Sequence, residues 1–115
     1  MILSEEQTLI RDTARAFARE KVAPHVRAWE AAGEIPRNVL AEMGQLGFLG
    51  MTVPEEWGGA GADMVSYVLA LEEIAAADGG LSTVMSVNNS PNCAALLAYG
   101  SPEQKETWLK PLARG

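Results

Sequence analysis

The side chains that could perform chemistry are few, and their types and spacing do not form a catalytic or metal-binding set. The chain of 115 residues contains one cysteine, Cys93, and one histidine, His25. This pair can form neither an internal disulfide nor a complete zinc site. His25 follows Pro24 among polar residues, whereas Cys93 lies in a neutral segment without a nearby base. We therefore expect an exposed histidine, a buried thiol and no catalytic triad.

Two adjacent carboxylates, Glu72 and Glu73, are the remaining candidates for acid–base catalysis. Neighbours on a helix point about 100° apart, so the two carboxylates cannot act on the same substrate atom. The pair is more typical of a polar strip on an exposed helix edge, with one carboxylate available as a hydrogen-bond acceptor. The sequence therefore predicts no catalytic residue and no metal ligand within this chain.

A glycine-rich turn precedes a predicted helix and invites comparison with dinucleotide-binding turns. Starting from Gly59 and Gly61, the third glycine of that motif would fall on Met64, and no strand pattern surrounds it. An architectural turn is the better interpretation. A basic stripe could also meet a phosphate, but it is more typical of a solvated face with intrahelical partners such as Asp12 and Glu20. Its members are Arg11, Arg15 and Arg19. No cofactor-binding residue is predicted.

The segment from Gly79 to Pro102 contains no charged residue, although Asp78 and Glu103 flank it. A soluble helix normally carries charges on its outer side, so the segment is predicted to be buried on most sides. It is not purely apolar. Neutral polar side chains are spread through it, and they need hydrogen-bond partners or a cavity to line. These are Ser82, Thr83, Ser86, Asn88, Asn89 and Ser90.

Spacing within this segment leaves two interpretations open. Four residues at positions i, i+3, i+4 and i+7 share one face of a helix: Val84, Val87, Asn88 and Pro91. Such a neutral face is suited to close packing of another helix or to lining a slot for a thin ligand. Pro91 predicts a kink, because a proline inside a helix removes a hydrogen bond and clashes with the preceding turn.

Start and stop signals predict the elements that position these residues. Ser4 and Gln7 form a capping box, Pro24 bends or ends the first helix, and a restarted helix stops at Gly33. Pro36 is expected to be the first residue of a third helix that stops at Gly47, and a long loop extends through Gly61. Three helices follow: Met64–Ala77, Leu81–Ala98 and one capped by Ser101 that Trp108, Leu109 and Leu112 anchor. The fold class is all-α, with about six helices.

Composition limits the possible partners. The formal net charge of −6 disfavours a nucleic-acid surface and an anionic membrane. The N-terminus lacks the basic and apolar regions of a secretory signal, and a lone cysteine fits a reducing compartment, so we expect a cytoplasmic protein. The longest uncharged segment is too polar to span a bilayer. We expect no nucleic acid, no membrane and a single domain.

Four segments together resemble a known family. They are LGFLGMTVPEEWGGAGAD, LALEEIAAAD, STVMSVNNS and YGSPEQKETWLKPLARG. In this order they are similar to the N-terminal helical domain of the acyl-CoA dehydrogenases, and most closely to short-chain (butyryl-CoA) members. The likeness extends from Ser4 to Gly115. It implies an orthogonal up-and-down helical bundle as one domain over residues 1–115, with a β domain and a C-terminal helical domain beyond it.

The resemblance also implies an activity. Such enzymes are oxidoreductases of fatty acid metabolism and β-oxidation that bind FAD and an acyl-CoA thioester. A carboxylate removes the α-proton, the β-hydrogen passes to the flavin as hydride, and a trans-2-enoyl-CoA forms. Electrons then leave to an electron-transfer flavoprotein, and family members assemble as tetramers or dimers. The catalytic glutamate and most flavin contacts lie beyond this domain in the family, so these 115 residues alone are expected to be inactive and to bind no cofactor.

The resemblance favours the ligand-lining interpretation of the neutral helix. Carried over by position, the substrate-binding residues that would form the acyl wall are Thr83, Val84, Val87, Asn88 and Pro91. Short-chain relatives usually have leucine where Pro91 stands and proline where Ala95 stands, so the preferred acyl length stays open. Two other functions remain possible: a stand-alone helical module that binds acyl chains or a partner protein, and the same domain in an acyl-CoA oxidase or flavin monooxygenase relative.

Overall fold

The computed structural model describes residues 1–115, and all of its regular structure is helical. The α-helical segments in chain order are α1 (Glu5–Phe17), α2 (Val26–Ala32), α3 (Arg37–Gln45), α4 (Met64–Ala77), α5 (Gly79–Val87), α6 (Ala94–Tyr99), α7 (Pro102–Gln104) and α8 (Lys110–Arg114). Short π-helical turns at Ala18–Val22, Asn88–Cys93 and Lys105–Leu109, and a 3-10 turn at Ala23–His25, join several of them. The chain thus forms five rods, over residues 5–32, 37–45, 64–77, 79–99 and 102–114, and the all-α prediction is confirmed.

The helix caps follow the local sequence. The Ser4 hydroxyl accepts from the Gln7 backbone N–H at 3.1 Å, and the Gln7 side chain accepts from the Ser4 backbone N–H at 2.9 Å. Ser101 and Gln104 form the same reciprocal pair at the start of α7. Asp63 caps α4 by accepting from the Ser66 backbone N–H at 2.7 Å. Each cap satisfies N–H groups that have no partner inside the first turn, so these starts can be read from sequence.

One of two prolines acts as predicted. At Pro24 the first rod loosens into a π turn and a 3-10 turn and then continues as α2, which agrees with the predicted bend and restart. The prediction of about six helices counts this rod twice. Pro36 is the residue before α3 and not its first residue, since its ψ of 138° is extended. Gly33 ends α2 with a φ of 75°, as its position after the last apolar residue predicts.

The core lies where α4 packs against α1 and against α5, and buried side chains of α3 and of the loop that follows it complete the cluster. Small residues such as Ala14 and Ala70 are fully buried and let the helices approach closely. A second, smaller cluster joins Val53 and Cys93 to Leu109 and Ala113 in the last rod. The largest fully buried side chains of the main core are Met43, Ile74, Leu81 and Met85.

Two predictions of burial differ from the structure. Trp108 of the last rod faces outward, so Leu109 anchors that rod without Trp108. The charge-free segment is buried on one side only, and the prediction that it is buried on most sides is wrong for this chain. Its fully buried side is the i, i+4, i+8, i+12 row of Leu81, Met85, Asn89 and Cys93. The opposite, uncharged side of the rod is open.

Candidate functional site

The rod over residues 79–99 is broken in its middle, next to the neutral face identified in the sequence. Helix α5 gives way to the π turn Asn88–Cys93, and the backbone of Ser90 is extended, with φ −152° and ψ 118°. The ring of Pro91 disfavours a helical conformation for the residue before it, which accounts for the break at Ser90. The kink predicted at Pro91 is therefore confirmed.

The five predicted wall residues do not share one environment. Thr83, Val84 and Val87 lie on the exposed side of α5, where Val84 is 39% exposed and Val87 is 45% exposed. The Thr83 hydroxyl donates to the Gly79 carbonyl at 3.0 Å, which leaves its methyl group as the outward contact. Pro91 is exposed beyond the break, whereas Asn88 is half-buried. Three of the five thus form one continuous strip, which we call the α5 strip.

A groove of about 450 Å³ opens beside the α5 strip, in the size range of small-molecule sites. Of the predicted wall residues, Val84 and Asn88 line it and Thr83, Val87 and Pro91 do not. The remaining lining residues come from α3, the following loop and the chain end, and the sequence alone did not identify them. They are Arg37, Leu40, Ala41, Leu49, Pro111, Leu112 and Gly115. These segments meet only in three dimensions, so no local pattern marks them.

Asn88 and Asn89 present adjacent carboxamides to different parts of the chain. Nδ2 of Asn88 donates to the carbonyl oxygens of Leu49 and Leu112, at 2.7 and 2.8 Å. Asn89 is almost fully buried, and its Oδ1 accepts from the Met51 backbone N–H at 2.7 Å. Nδ2 of Asn89 donates to the carbonyls of Phe48 and Met85, both at 2.8 Å. Both asparagines thus have partners within the protein, and no buried side-chain polar atom is left without one.

The basic stripe on α1 has a partner that the sequence did not reveal. Nε and Nη2 of Arg15 both donate to Oε1 of Glu73 on α4, at 3.1 and 2.8 Å. The prediction of purely intrahelical partners is wrong for Arg15, although Arg11 does pair with Asp12 at 2.9 Å. The hydrogen bonds from Arg15 hold the pKa of the Glu73 carboxyl below its usual range. Glu73 therefore ties two helices together and is the acceptor carboxylate that the Glu72–Glu73 pair allowed.

The glycine-rich turn is architectural, as predicted. Gly58 and Gly61 have φ values of 86° and 62°, which side-chain-bearing residues rarely adopt. A Cβ atom on Gly59 would overlap the backbone and side chain of Val53. Since its own neighbours fill this turn, it offers no cradle for the phosphates of a dinucleotide such as FAD. The residues of this chain do not form a flavin site there.

Cys93 and His25 also fit their structural interpretations. Burial raises the pKa of the Cys93 thiol to about 11, which disfavours the nucleophilic thiolate. His25 is exposed, and its ring stacks on Trp29 with centroids 6.1 Å apart. No three His, Cys, Asp or Glu side chains converge at metal-binding distance. No helix of the structure has the length and apolar character needed to cross a membrane.

Comparisons with known proteins agree with the fold. The family model for the acyl-CoA dehydrogenase N-terminal domain matches residues 4–115. The probable acyl-CoA dehydrogenase YngJ of Bacillus subtilis is 39% identical over 113 residues, covering 98% of this chain and 30% of that protein. Glutaryl-CoA dehydrogenase from Mycobacterium smegmatis superimposes with a TM-score of 0.91 at 40% identity, covering 98% of this chain and 29% of the other. Butyryl-CoA dehydrogenase from Megasphaera elsdenii superimposes with a TM-score of 0.90 at 31% identity, over 99% and 30%.

These matches run along nearly the whole chain, yet the chain spans less than a third of each relative's length. The relatives named for acyl-CoA chemistry share both the sequence and the helical arrangement described above. The resemblance noted in the sequence is therefore confirmed, and the chain belongs to the acyl-CoA dehydrogenase family, within which it corresponds to the N-terminal helical domain.

Proposed function

We propose that this chain supplies one wall of the acyl site in an FAD-dependent acyl-CoA dehydrogenase that oxidises short-chain acyl-CoA thioesters across the Cα–Cβ bond. The observation that carries this proposal is the α5 strip, which is apolar, uncharged and open. The side chains of Val84 and Val87 are 39% and 45% exposed. No charged residue lies in the surrounding segment, so this open surface is apolar. An apolar surface of this kind gains free energy when a thin aliphatic chain covers it.

The chemistry of dehydrogenation requires a wall with these properties. Removal of an α-proton and transfer of a β-hydrogen need a thioester held in a fixed orientation and shielded from water. The valines of the α5 strip and the methyl group of Thr83 exclude water without adding a charge. No Asp or Glu side chain lines the adjacent groove, and in this proposal the base that takes the α-proton lies in another part of the protein. We accordingly expect no turnover from residues 1–115 alone.

The remaining parts of the proposal concern the whole protein. FAD, when bound, would accept the hydride, and we propose that most of its site is built by residues outside this chain, since Val53 occupies the space beside Gly59 in the one turn that resembles a dinucleotide-binding turn. A relative from Mycobacterium smegmatis is described in complex with FADH2, which supports flavin dependence. We further propose an electron-transfer flavoprotein as the electron acceptor, a cytoplasmic location, and a homo-oligomer of two or four chains. The preference for short acyl chains draws support from the likeness to butyryl-CoA dehydrogenase.

The test uses the full-length enzyme with its flavin and acyl-CoA substrates of increasing length. Val87→Phe adds bulk to the α5 strip, so kcat/KM for hexanoyl-CoA relative to butyryl-CoA should fall about tenfold or more. Val68 on α4 is the matched control, because it is 44% exposed and lies outside the strip. Val68→Phe should leave the ratio unchanged. An unaltered length profile in Val87→Phe, or an equal change in both variants, would remove the α5 strip from the acyl site.

A further inference from the structure

Asn88 differs from the other predicted wall residues because the protein itself uses both of its amide hydrogens. The two hydrogens on Nδ2 go to Leu49 and Leu112, which lie 39 and 24 positions away in the sequence. Both hydrogen bonds are short, and the residue is half-buried. Nδ2 of Asn88 therefore has no hydrogen left to donate to a thioester carbonyl.

The two acceptors belong to separate structural elements. Leu112 lies in α8, and its carbonyl oxygen also accepts from the Gly115 backbone N–H at 3.2 Å, so Asn88 adds a second donor to a carbonyl of the final rod. Leu49 belongs to the loop between α3 and α4, which has no regular helix of its own at that point. Asn88 therefore joins α5, α8 and this loop at one atom.

The same three elements form walls of the groove. Leu49, Pro111 and Leu112 line it together with Val84 and Asn88. The small residue Gly50, next to Leu49, packs so closely on Ala113 that an added Cβ atom would lie 2.6 Å from the Ala113 carbonyl oxygen. The loop and α8 thus meet without spare room, and a shift at Leu49 or Leu112 would move the groove wall as a unit.

We infer that Asn88, although it also lines the groove, is a positioning residue for the acyl site that acts through its hydrogen bonds to the backbone of Leu49 and Leu112. This inference rests on the proposed function. It gives four of the five predicted wall residues one of two roles: the α5 strip contacts the substrate, and Asn88 sets the distance between that strip and α8. A contact residue changes the preference among acyl lengths, whereas a positioning residue changes the efficiency for all lengths alike.

The experiment measures kinetics and amide hydrogen exchange on the full-length holoenzyme. Asn88→Leu removes both donor hydrogens at similar side-chain size, and Asn88→Gln keeps a carboxamide on a stem one methylene longer. Asn38→Leu on α3 is the matched control, because Asn38 is exposed and makes no side-chain hydrogen bond. Butyryl-CoA, hexanoyl-CoA and octanoyl-CoA serve as substrates. Peptides that cover residues 48–53 and 109–115 report the exchange.

For Asn88→Leu we expect kcat/KM to fall about 10-fold to 100-fold for all three substrates, with their ratios unchanged. Exchange should become faster at residues 109–115 and 48–53, Asn88→Gln should recover part of both effects, and Asn38→Leu should show neither. A selective loss for one acyl length would overturn the inference in favour of direct contact. Unchanged kinetics in folded Asn88→Leu would also overturn it, by reducing Asn88 to a stabilising residue.

The proposed function and this inference fail in distinguishable ways. If the wild-type holoenzyme dehydrogenated no acyl-CoA, the proposed function would fail, and with it the role of Asn88 toward an acyl site. The exchange data would then still decide whether Asn88 holds α8 and the loop. If the wild-type enzyme is active and Asn88→Leu leaves both efficiency and exchange unchanged, the inference alone is refuted. Should Asn88→Leu not fold, the same comparison is made with Asn88→Gln, for which we expect a smaller loss of the same kind.

Discussion

Replacement of Asn89 by leucine should destabilise the chain more than any other single polar substitution in the neutral segment. The Asn89 side chain is 3% exposed and makes three hydrogen bonds of 2.7 to 2.8 Å. Two of its partners, the Phe48 carbonyl and the Met51 N–H, belong to a loop and have no helical partner to replace it. Phe48 and Met51 are themselves almost fully buried, so water cannot take over these hydrogen bonds.

The expected size of the effect follows from the groups left unpaired. A buried donor or acceptor without a partner costs about 1 to 3 kcal/mol, so two of them cost about 2 to 6 kcal/mol. Leucine is close to asparagine in size and regains a little by apolar burial, which places the expected loss near the middle of that range. Since whole domains are stable by only about 5 to 15 kcal/mol, Asn89→Leu should remove a large share of the stability.

Urea-induced unfolding followed by circular dichroism measures this loss as a change in the free energy of unfolding. Asn92→Leu is the matched control, because Asn92 is exposed in the same π turn and makes no side-chain hydrogen bond. It should change the stability by less than about 0.5 kcal/mol. Equal free energies for the two variants would refute the reasoning, because they would mean that the hydrogen bonds of Asn89 to the loop contribute nothing measurable.

Two further predictions concern the ties between elements. Because Arg15 holds the pKa of Glu73 below its usual range, the ionised pair stabilises the fold above the unfolded-state pKa of about 4.3, and this stabilisation is lost as pH falls through the lower folded-state pKa. Glu73→Gln should therefore be less stable than wild type at pH 7 and should lose less further stability between neutral and acid pH. Identical pH profiles of unfolding for the two proteins would contradict this. Gly59→Ala should lower the melting temperature, because its Cβ atom would overlap Val53. The control Gly79→Ala, whose Cβ atom meets nothing within 4 Å, should be neutral or stabilising by up to about 1 kcal/mol. Equal melting temperatures for the two variants would show that the glycine-rich turn is less tightly packed than described.

The sequence predicts the parts of this fold that depend on neighbouring residues. Ser4 and Gln7, like Ser101 and Gln104, are three positions apart and satisfy each other within one turn, so their helix starts are found correctly. The break at Ser90 likewise depends on the adjacent Pro91. Stop signals at Gly33 and Gly47 require only a positive φ at a glycine.

The features that sequence reasoning missed depend on residues far apart in the chain. Arg15 and Glu73 are 58 positions apart, and Asn89 reaches loop residues 38 and 41 positions away. Nothing in the local pattern selects these partners over Asp12 or Glu20. The exposure of the neutral segment was also mispredicted. The absence of charge is consistent with a surface that is covered in the working protein, but it does not reveal whether this chain's own helices or another group covers it. In our proposal an acyl chain covers the α5 strip.

The most direct test of the central claim is a crystal structure of the full-length holoenzyme with a bound butyryl-CoA analogue. We predict that the terminal carbons of the acyl chain lie within about 4.5 Å of the side chains of Val84 or Val87, with Asn88 still hydrogen-bonded to Leu49 and Leu112. An acyl chain that occupies a site without any contact to the α5 strip would contradict the account.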